Sequence, residues 1–282
     1  MNLKTIVIIL SCKDQPGIVA QLSGCLFEHN VNIISADQYS SELRDGDFFI
    51  RLEVDYDIAM INEPLMEEDL SRIASEFSAS LQLFPISYRM KMGILVSKEA
   101  HCLHDLLYRW ESGDLNIEIP FVISNHERAR KLVEHFDIPF YYLPAHTGDR
   151  MEKEILEIIA EKSDFLVLAR YMQILSKSFI DSYANDIINI HHSFLPSFKG
   201  GNPYKQAFDR GVKIIGATAH FVTEHLDEGP IIKQMVNAVS HADTVESMKK
   251  KGRNMEKIAL AEALHDYVEH RVIRYGKKAI IL

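Results

Sequence analysis

The chain has 282 residues, 47% of them apolar and 25% charged, and its formal charge at pH 7 is -9. This length is ample for more than one buried core, so we expect two domains. The acidic balance and the lack of any stripe rich in Lys and Arg argue against a nucleic-acid partner, because that affinity rests on neutralising phosphates. A small-molecule ligand is therefore expected.

The cysteines and the hydropathy pattern indicate in which cellular compartment the protein is expected. Cys12, Cys25 and Cys102 are widely spaced and form no Cys-x-x-Cys pair, which favours a reducing cytoplasm. The opening run "MNLKTIVIILSC" lacks a cleavage site typical of signal peptides and leads into a helix start, so it predicts a strand. No apolar stretch approaches the ~20 residues that span a bilayer, so no membrane partner is expected.

The first third of the chain follows the order βαββαβ. The apolar run at 5–10 predicts a strand, and Asp14 and Pro16 predict the cap and first turn of a helix. Two strand-like runs, a second amphipathic helix and a last strand follow. The order predicts a ferredoxin-like domain over residues 1–88.

From Met90 onward strands and helices alternate. This alternation predicts a doubly wound, mostly parallel sheet over residues 89–282, and makes the whole chain an α/β protein. A long helix with Met248, Met255 and Ala259 on one face and a short hairpin are predicted near the end of the chain.

Three polar loops are predicted to meet at the carboxyl ends of the strands, where open α/β sheets usually bind ligands. They are "ARYMQIL", "NIHHSFLPSFKG" and "AHFVTEHLDEGP". Asn189 offers an amide donor, His191 an imidazole and Asp227 a carboxylate, the groups needed for water to attack a carbonyl. We expect Asp227 to accept the proton of water, while His191 and Asn189 bind the developing oxyanion.

Simpler interpretations exist for several of these residues. Strand side chains alternate between faces, so His192 is expected to be an ordinary hydrogen-bonded core residue. Asp227 stands near Gly229 and Pro230 and could be only a turn residue. No metal is expected, because the histidine spacings match no ligand motif. Neither a G-x-S-x-G nor a G-x-G-x-x-G motif is present.

The stretches "NIHHSFLPSFKG" and "AHFVTEHLDEGPII" together resemble the signature of the formyltransferases that use formyltetrahydrofolate, in which an Asn-x-His and a downstream Asp form the catalytic trio. The resemblance implies that trio for Asn189, His191 and Asp227. It also implies a set of folate-binding neighbours: Met172, Gln173, Ile174, Leu175, Thr218 and His220. Members often carry Arg where this chain has Gln173, so the pterin is expected to be held by backbone groups of this loop.

The stretch "DQPGIVAQLSGCLFEHNVNIISAD" resembles the ACT domains, which are small ligand-sensing modules. The resemblance implies an amino-acid effector whose carboxylate would bind at the helix N-terminus around Asp14, Gly17 and Ile18, where free N–H groups favour an anion. An ordinary helix start explains these residues equally well. ACT domains commonly pair edge to edge, so a homo-oligomer is expected.

Two kinds of acceptor for the formyl group are made improbable by features that the sequence lacks. The turn "VSKEAHCLHD" contains no glycine, so it offers no cradle for a phosphate-bearing acceptor. Transfer to tRNA would need a further tRNA-binding domain, so a large acceptor is not expected either.

An ACT module fused to a formyltransferase-like module is similar to the formyltetrahydrofolate deformylases. This implies hydrolysis of 10-formyltetrahydrofolate to formate and tetrahydrofolate, with the folate as substrate and no cofactor. It further implies that the formate supplies purine synthesis and that one-carbon folate pools are balanced. Two alternatives stay open. One is a formyltransferase with a small unphosphorylated amine acceptor, and the other is an amino-acid-binding protein with a silent catalytic domain.

Overall fold

The computed structural model describes residues 2–42, 45–145, 151–197 and 202–282. Residues 198–200 of the "NIHHSFLPSFKG" stretch lie outside the described residues. The chain forms two compact units. One comprises the residues up to Tyr88 with Glu269–Ile273 and Leu282, and the other comprises Arg89–Val268 and Arg274–Ile281.

The first unit has the predicted ferredoxin-like architecture. Its elements are β1 (Leu3–Lys13), α1 (Ile18–Glu28), β2 (Asn32–Ser40), β3 (Asp47–Asp57), α2 (Glu63–Glu76) and β4 (Ser80–Pro85). The four strands form an antiparallel sheet in the order β2-β3-β1-β4. Apolar residues from β1 and β3 pack against the buried faces of both helices and form the core of the unit.

The start of α1 differs from the prediction. The expectation that Asp14 caps the helix is wrong, because its carboxylate accepts a hydrogen bond from the Ser40 hydroxyl at 2.6 Å. The N-cap is Gly17 instead, at φ 99°, with no side chain capping the first turn. This left-handed φ suits glycine, which carries no Cβ. The side chain of Ile18 is buried, so only its backbone faces the helix end.

The segment Glu269–Ile273 packs on the first unit, a return that the predicted boundary of 89–282 did not include. Arg51 of β3 is fully buried, and its guanidinium donates to the carbonyl oxygen of Glu269 from Nε (3.2 Å) and Nη2 (3.1 Å). The ring of His270 stacks on Phe84 with centroids 3.8 Å apart. These hydrogen bonds satisfy part of a buried charge that would otherwise be costly.

The second unit is built on an eight-stranded sheet. The elements up to α6 are β5 (Met90–Val96), α3 (His101–Ser112), β6 (Ile117–Glu118), β7 (Val122–Ser124), a 3₁₀ turn (Glu127–Ala129), α4 (Arg130–Glu134), β8 (Phe140–Tyr142), α5 (Glu152–Ile159), β9 (Phe165–Leu168) and α6 (Lys177–Ser182). The remaining ones are β10 (Ile187–His191), α7 (Pro203–Asp209), β11 (Ile214–Phe221), β12 (Ile231–Ala238), α8 (Val245–Val268), β13 (Val272–Tyr275) and β14 (Lys278–Ile281).

The sheet runs in the order β12-β11-β10-β9-β5-β7-β8, with β6 beside β5. Strands β5 to β10 are parallel, whereas β11 and β12 are antiparallel to their neighbours, so the predicted mostly parallel α/β sheet is confirmed. The last two strands, β13 and β14, pair with each other as predicted. The described helices include none with the length and apolar character needed to cross a membrane.

Candidate functional site

Two neighbouring strands place four of the predicted site residues on one face of the sheet. Asn189 and His191 are two positions apart on β10, so their side chains point the same way. The antiparallel register pairs Asn189 with His220 and His191 with Thr218 on β11. Directly opposed residues have Cβ atoms about 5 Å apart, so this pairing brings the polar side chains into contact range.

Asp227 reaches the same place from the loop between β11 and β12. The loop closes tightly, since the Phe221 N–H donates to the Pro230 carbonyl oxygen at 2.9 Å. A Cβ on Gly229 would lie 1.8 Å from the Phe221 carbonyl oxygen, so only glycine fits there. Asp227 itself has φ 57°, a left-handed conformation that Asp and Asn adopt more readily than most residues. The site residue is thus held by a constrained turn, and the two interpretations of Asp227 are compatible.

His191 and Asp227 form a buried pair. The distance from Nδ1 of His191 to Oδ2 of Asp227 is 3.3 Å, and the two side chains are only 7% and 10% exposed. Burial raises the pKa of Asp227, but the neighbouring imidazoles of His191 and His220 outweigh it and hold that pKa well below its usual range. Nε2 of His191 is buried and has no hydrogen-bond partner in the described part of the chain. It is therefore available to a substrate.

Asn189 is oriented by its neighbour on β11. Nδ1 of His220 lies 2.8 Å from the Phe221 carbonyl oxygen, a distance at which it donates, so Nε2 is left as an acceptor. Nδ2 of Asn189 lies 3.1 Å from that Nε2 and donates to it. An amide nitrogen carries two hydrogens, so the second N–H of Asn189 stays available to an oxygen in front of it.

A cavity of about 220 Å³ opens in front of the trio. Its wall consists of three segments, the end of β9 with the following loop, the end of β10, and the loop after β11. The lining residues are Leu168, Arg170, Tyr171, Met172, Gln173, Ile174, Leu175, Ile180, Asn189, Ile190, His191, His192, His220, Val222, Thr223, Glu224, His225, Leu226 and Asp227. Met172, Ile174 and Leu226 are all more than half exposed, and they give the cavity an apolar rim that suits an aromatic ligand.

The structure places the remaining predicted folate-binding residues in different surroundings. The Leu175 side chain is buried in the core beneath the cavity, whereas Met172, Gln173 and Ile174 are partly or fully exposed. Thr218 is fully buried, and its hydroxyl donates to the Ser193 carbonyl oxygen (2.9 Å) and accepts from the Leu195 N–H (3.1 Å). This position supports the turn after β10 instead of facing the cavity.

The expectation that His192 is a hydrogen-bonded core residue is wrong. Strand β10 ends at His191, so the alternation of faces stops before His192. Its half-buried ring lines the cavity with its centroid 5.2 Å from that of His191, and it makes no hydrogen bond with the described residues. Burial, with the nearby charges of Arg170 and His191, lowers the pKa of His192 to about 3, so its ring is neutral at physiological pH.

A buried polar cluster beside the cavity was not predicted from the sequence. Its centre is Glu256 of α8, which is 1% exposed. The carboxylate accepts hydrogen bonds from His101 Nε2 (2.7 Å) and the Tyr204 hydroxyl (2.8 Å), and it lies 3.3 Å from Nε of Arg170. Burial raises the pKa of Glu256, but His101, Arg170 and Tyr204 together lower it to about 2. Arg170 lines the cavity, so the cluster fixes one of its walls.

Within the described residues, His101, Cys102 and Glu256 are the one group of three potential metal ligands close enough to share an ion. Both carboxylate oxygens of Glu256 already accept hydrogen bonds from protein side chains, and the Arg170 guanidinium lies beside them. A positive ion at this place would be repelled by that guanidinium, so we derive no metal chemistry from this group.

Glu256→Gln is expected to destabilise the protein by about 3–5 kcal/mol at neutral pH, because the Arg170 guanidinium loses its buried counter-charge. The pKa of Glu256 is lower in the folded state than its ordinary value of 4.5. The stabilisation is therefore complete above that value and is lost as pH falls toward 2. Urea unfolding of both proteins should show the difference in unfolding free energy shrinking over this range.

Glu246→Gln on the same helix is the control, because Glu246 is 80% exposed and should contribute little. A wild-type advantage over Glu256→Gln that stays constant down to the lowest pH would contradict this account of Glu256.

The family comparisons agree with this geometry. Residues 90–264 match the family model described as formyl transferase, and residues 6–58 match that of the ACT domain. The curated formyltetrahydrofolate deformylase of Bacillus subtilis (strain 168) is 47% identical over 279 residues, covering 97% of this chain and 92% of its own length.

Solved structures of proteins with this fold are also similar to the chain. A formyltetrahydrofolate deformylase from Pseudomonas syringae pv. tomato superposes with a TM-score of 0.93 at 42% identity, covering 99% of this chain and 94% of its own. A glycinamide ribonucleotide transformylase from Symbiobacterium toebii covers 71% of this chain and 98% of its own, with a TM-score of 0.63 and 30% identity.

Proposed function

The chain belongs to the formyltetrahydrofolate deformylase family and is a hydrolase of 10-formyltetrahydrofolate, and from that premise we propose that Asn189, His191 and Asp227 carry out the hydrolysis. The observation that supports this most strongly is the pair of His191 and Asp227. Nδ1 of the imidazole lies beside the carboxylate, and Nε2 is buried with no hydrogen-bond partner among the described residues. A buried polar atom with no partner is costly, which is consistent with a ligand completing the arrangement.

In the proposed reaction the formyl carbon faces the trio, and the pterin occupies the cavity with the apolar rim. A water molecule attacks the formyl carbon, and its proton then passes to the Asp227 carboxylate. The formyl oxygen becomes an oxyanion that accepts hydrogen bonds from Nε2 of His191 and from the free N–H of Asn189. The C–N bond then breaks, N10 takes the proton from Asp227, and tetrahydrofolate and formic acid are released. Formic acid ionises to formate in solution.

The low pKa of Asp227 fits two tasks in this scheme. The ionised carboxylate beside Nδ1 of His191 stabilises positive charge on the imidazole while Nε2 donates a hydrogen bond to the oxyanion. The same carboxylate orients the attacking water. A carboxylate with so low a pKa is a weak base in isolation, so proton transfer must follow the attack, when the bound water has become acidic.

The pH dependence tests this assignment. We expect kcat not to fall as the pH is lowered from about 7 to about 5, because Asp227 stays ionised over that range. The neighbouring imidazoles hold its pKa well below its usual range. Initial rates of formate release across these pH values provide the measurement. A kcat that falls on acidification through this range would contradict the assignment of Asp227 as an ionised carboxylate.

We propose that the formyl group is transferred to water and not to an amine, and an assay without any amine tests this. Purified protein incubated with 10-formyltetrahydrofolate alone should release formate and tetrahydrofolate in equal amounts. The alternative, a formyltransferase with a small unphosphorylated amine acceptor, predicts turnover only after an amine is added. Formate release that depends on an added amine would overturn the proposal.

We also propose the wider role that the family resemblance implies, namely supply of formate for purine synthesis with the folate as substrate and no cofactor. An amino-acid effector at Asp14, Gly17 and Ile18 and a homo-oligomer stay predictions. Formate-release rates measured with each amino acid in turn test the effector, and unchanged rates would count against it. The free thiols of Cys12, Cys25 and Cys102 are all buried, which fits the proposed cytoplasmic location.

A further inference from the structure

The loop from Tyr171 to Ser176, here called the cavity loop, connects β9 with α6 and supplies one wall of the cavity. Its residues belong to no helix or strand. Side chains from two other parts of the second unit hold it at both ends. These contacts decide where its backbone lies in relation to a bound folate.

Ser97 holds the first end. This residue directly follows β5 and is 2% exposed. Its backbone N–H donates to the Arg170 carbonyl oxygen at 3.2 Å, and its hydroxyl oxygen accepts from the Met172 N–H at 3.0 Å. One buried residue therefore binds the chain on both sides of Tyr171. Arg170 has φ 65°, so the chain turns sharply at this point.

Glu152 holds the second end from the start of α5. One carboxylate oxygen accepts from the Ser176 N–H at 2.7 Å, and the other accepts from the Ser176 hydroxyl at 2.5 Å. The hydroxyl oxygen of Ser176 in turn accepts from the Phe179 N–H at 3.1 Å and caps α6. Hydrogen bonds to a charged group are stronger than neutral ones, so this end is firmly held.

Between the two ends the backbone is free. The N–H and carbonyl groups of Gln173, Ile174 and Leu175 make no hydrogen bond with the described part of the chain, and all three residues line the cavity. A segment whose ends are fixed and whose middle offers unused donors and acceptors is suited to bind a ligand with alternating donor and acceptor positions, such as a pterin edge.

We propose that Ser97 and Glu152 are positioning residues for folate binding, which hold the cavity loop in its binding conformation without touching the substrate. This inference rests on the proposed function, since the ligand of the loop is the folate. Release of one end would let the loop adopt other conformations, and apparent affinity falls in proportion to the fraction of molecules in the competent one. The proton transfers of the trio would be little affected, because the trio lies on β10 and the loop after β11.

The first test replaces Ser97. Ser97→Ala removes the acceptor for the Met172 N–H and is expected to raise KM for 10-formyltetrahydrofolate by about 3- to 10-fold, the effect of losing one hydrogen bond, with kcat within about 3-fold of wild type. Ser124→Ala is the matched control. Ser124 is the last residue of the neighbouring strand β7, is fully buried, and forms hydrogen bonds with the His126 backbone away from the cavity.

Glu152→Gln provides the second test, since Glu152 is only partly buried and its replacement leaves the core intact. It should raise KM by a similar factor, because an amide replaces one charged acceptor with a donor. The dissociation constant of 5-formyltetrahydrofolate, measured by titration calorimetry, should rise in parallel, and this binding readout stays informative even if the wild-type protein released no formate. An unchanged KM in either variant, or an equal rise in Ser124→Ala, would overturn the proposal.

Discussion

Asp227→Asn is expected to lower kcat by about 10³-fold or more, because it removes both the proton acceptor for water and the negative charge beside His191. The substitution isolates that charge. Asn has the same shape as Asp and tolerates the left-handed φ of 57° at this position, so the turn that carries it should be preserved. KM should change little, since the folate contacts remain.

Single-turnover formate release, monitored together with the thermal unfolding temperature, checks this prediction. Asp209→Asn is a suitable control, because Asp209 is an exposed acid of the same unit whose carboxylate pairs only with Lys205 among the described ion pairs. A folded Asp227→Asn protein with at least a tenth of the wild-type kcat would show that the carboxylate is a turn residue without a part in the chemistry.

His191→Ala is expected to reduce kcat by about 10²- to 10³-fold, the usual cost of losing one oxyanion donor. The loss should fall on kcat while KM stays within about 3-fold of wild type, because the oxyanion forms only in the transition state. That split separates a chemical role from a purely structural one, since a distorted site would also raise KM.

The matched control is His241→Ala, because His241 is an exposed histidine of the same unit. It should keep both the kcat and the KM of the wild type. If the folded His191→Ala protein retained about a tenth or more of the wild-type kcat, another group would have to be the oxyanion donor.

The arrangement of side chains at the candidate site follows from the sequence where regular periodicities apply. The two-residue spacing of Asn189 and His191 predicts a shared face because strand side chains alternate, and the parallel topology predicts that loops after successive strands meet. Met248, Met255 and Ala259 are all buried on α8, as their helical spacing indicates. Each of these inferences needs only local geometry and one rule of chain topology.

The interactions that were missed depend on residues far apart in the chain. Glu256 falls among the buried residues of α8, and a single carboxylate on an apolar helix face was the available signal for a buried polar cluster. Its partners His101 and Tyr204 come from α3 and α7, so no local pattern names them. Ser97 looks like any small residue after a strand, and its role depends on where the Met172 N–H lies.

The error at Asp14 has a different cause. Asp14 lies two residues before Pro16, a local pattern that predicts a helix cap. In the structure the Asp14 carboxylate instead accepts a hydrogen bond from the Ser40 hydroxyl on β2. Because Gly17 can adopt a left-handed φ, the helix starts without a side-chain cap. His192 illustrates the same limit, since alternation of faces holds only while the strand continues, and β10 ends one residue earlier.

The origin of the second formate oxygen tests the central claim most directly. The protein is incubated with 10-formyltetrahydrofolate in water enriched in oxygen-18, with no amine present, and the released formate is examined by mass spectrometry. Attack by water held beside Asp227 and His191 predicts one heavy oxygen per formate, formed at a rate that falls with Asp227→Asn. Formate without heavy oxygen, or labelled formate released as fast by the Asp227→Asn protein, would contradict the account.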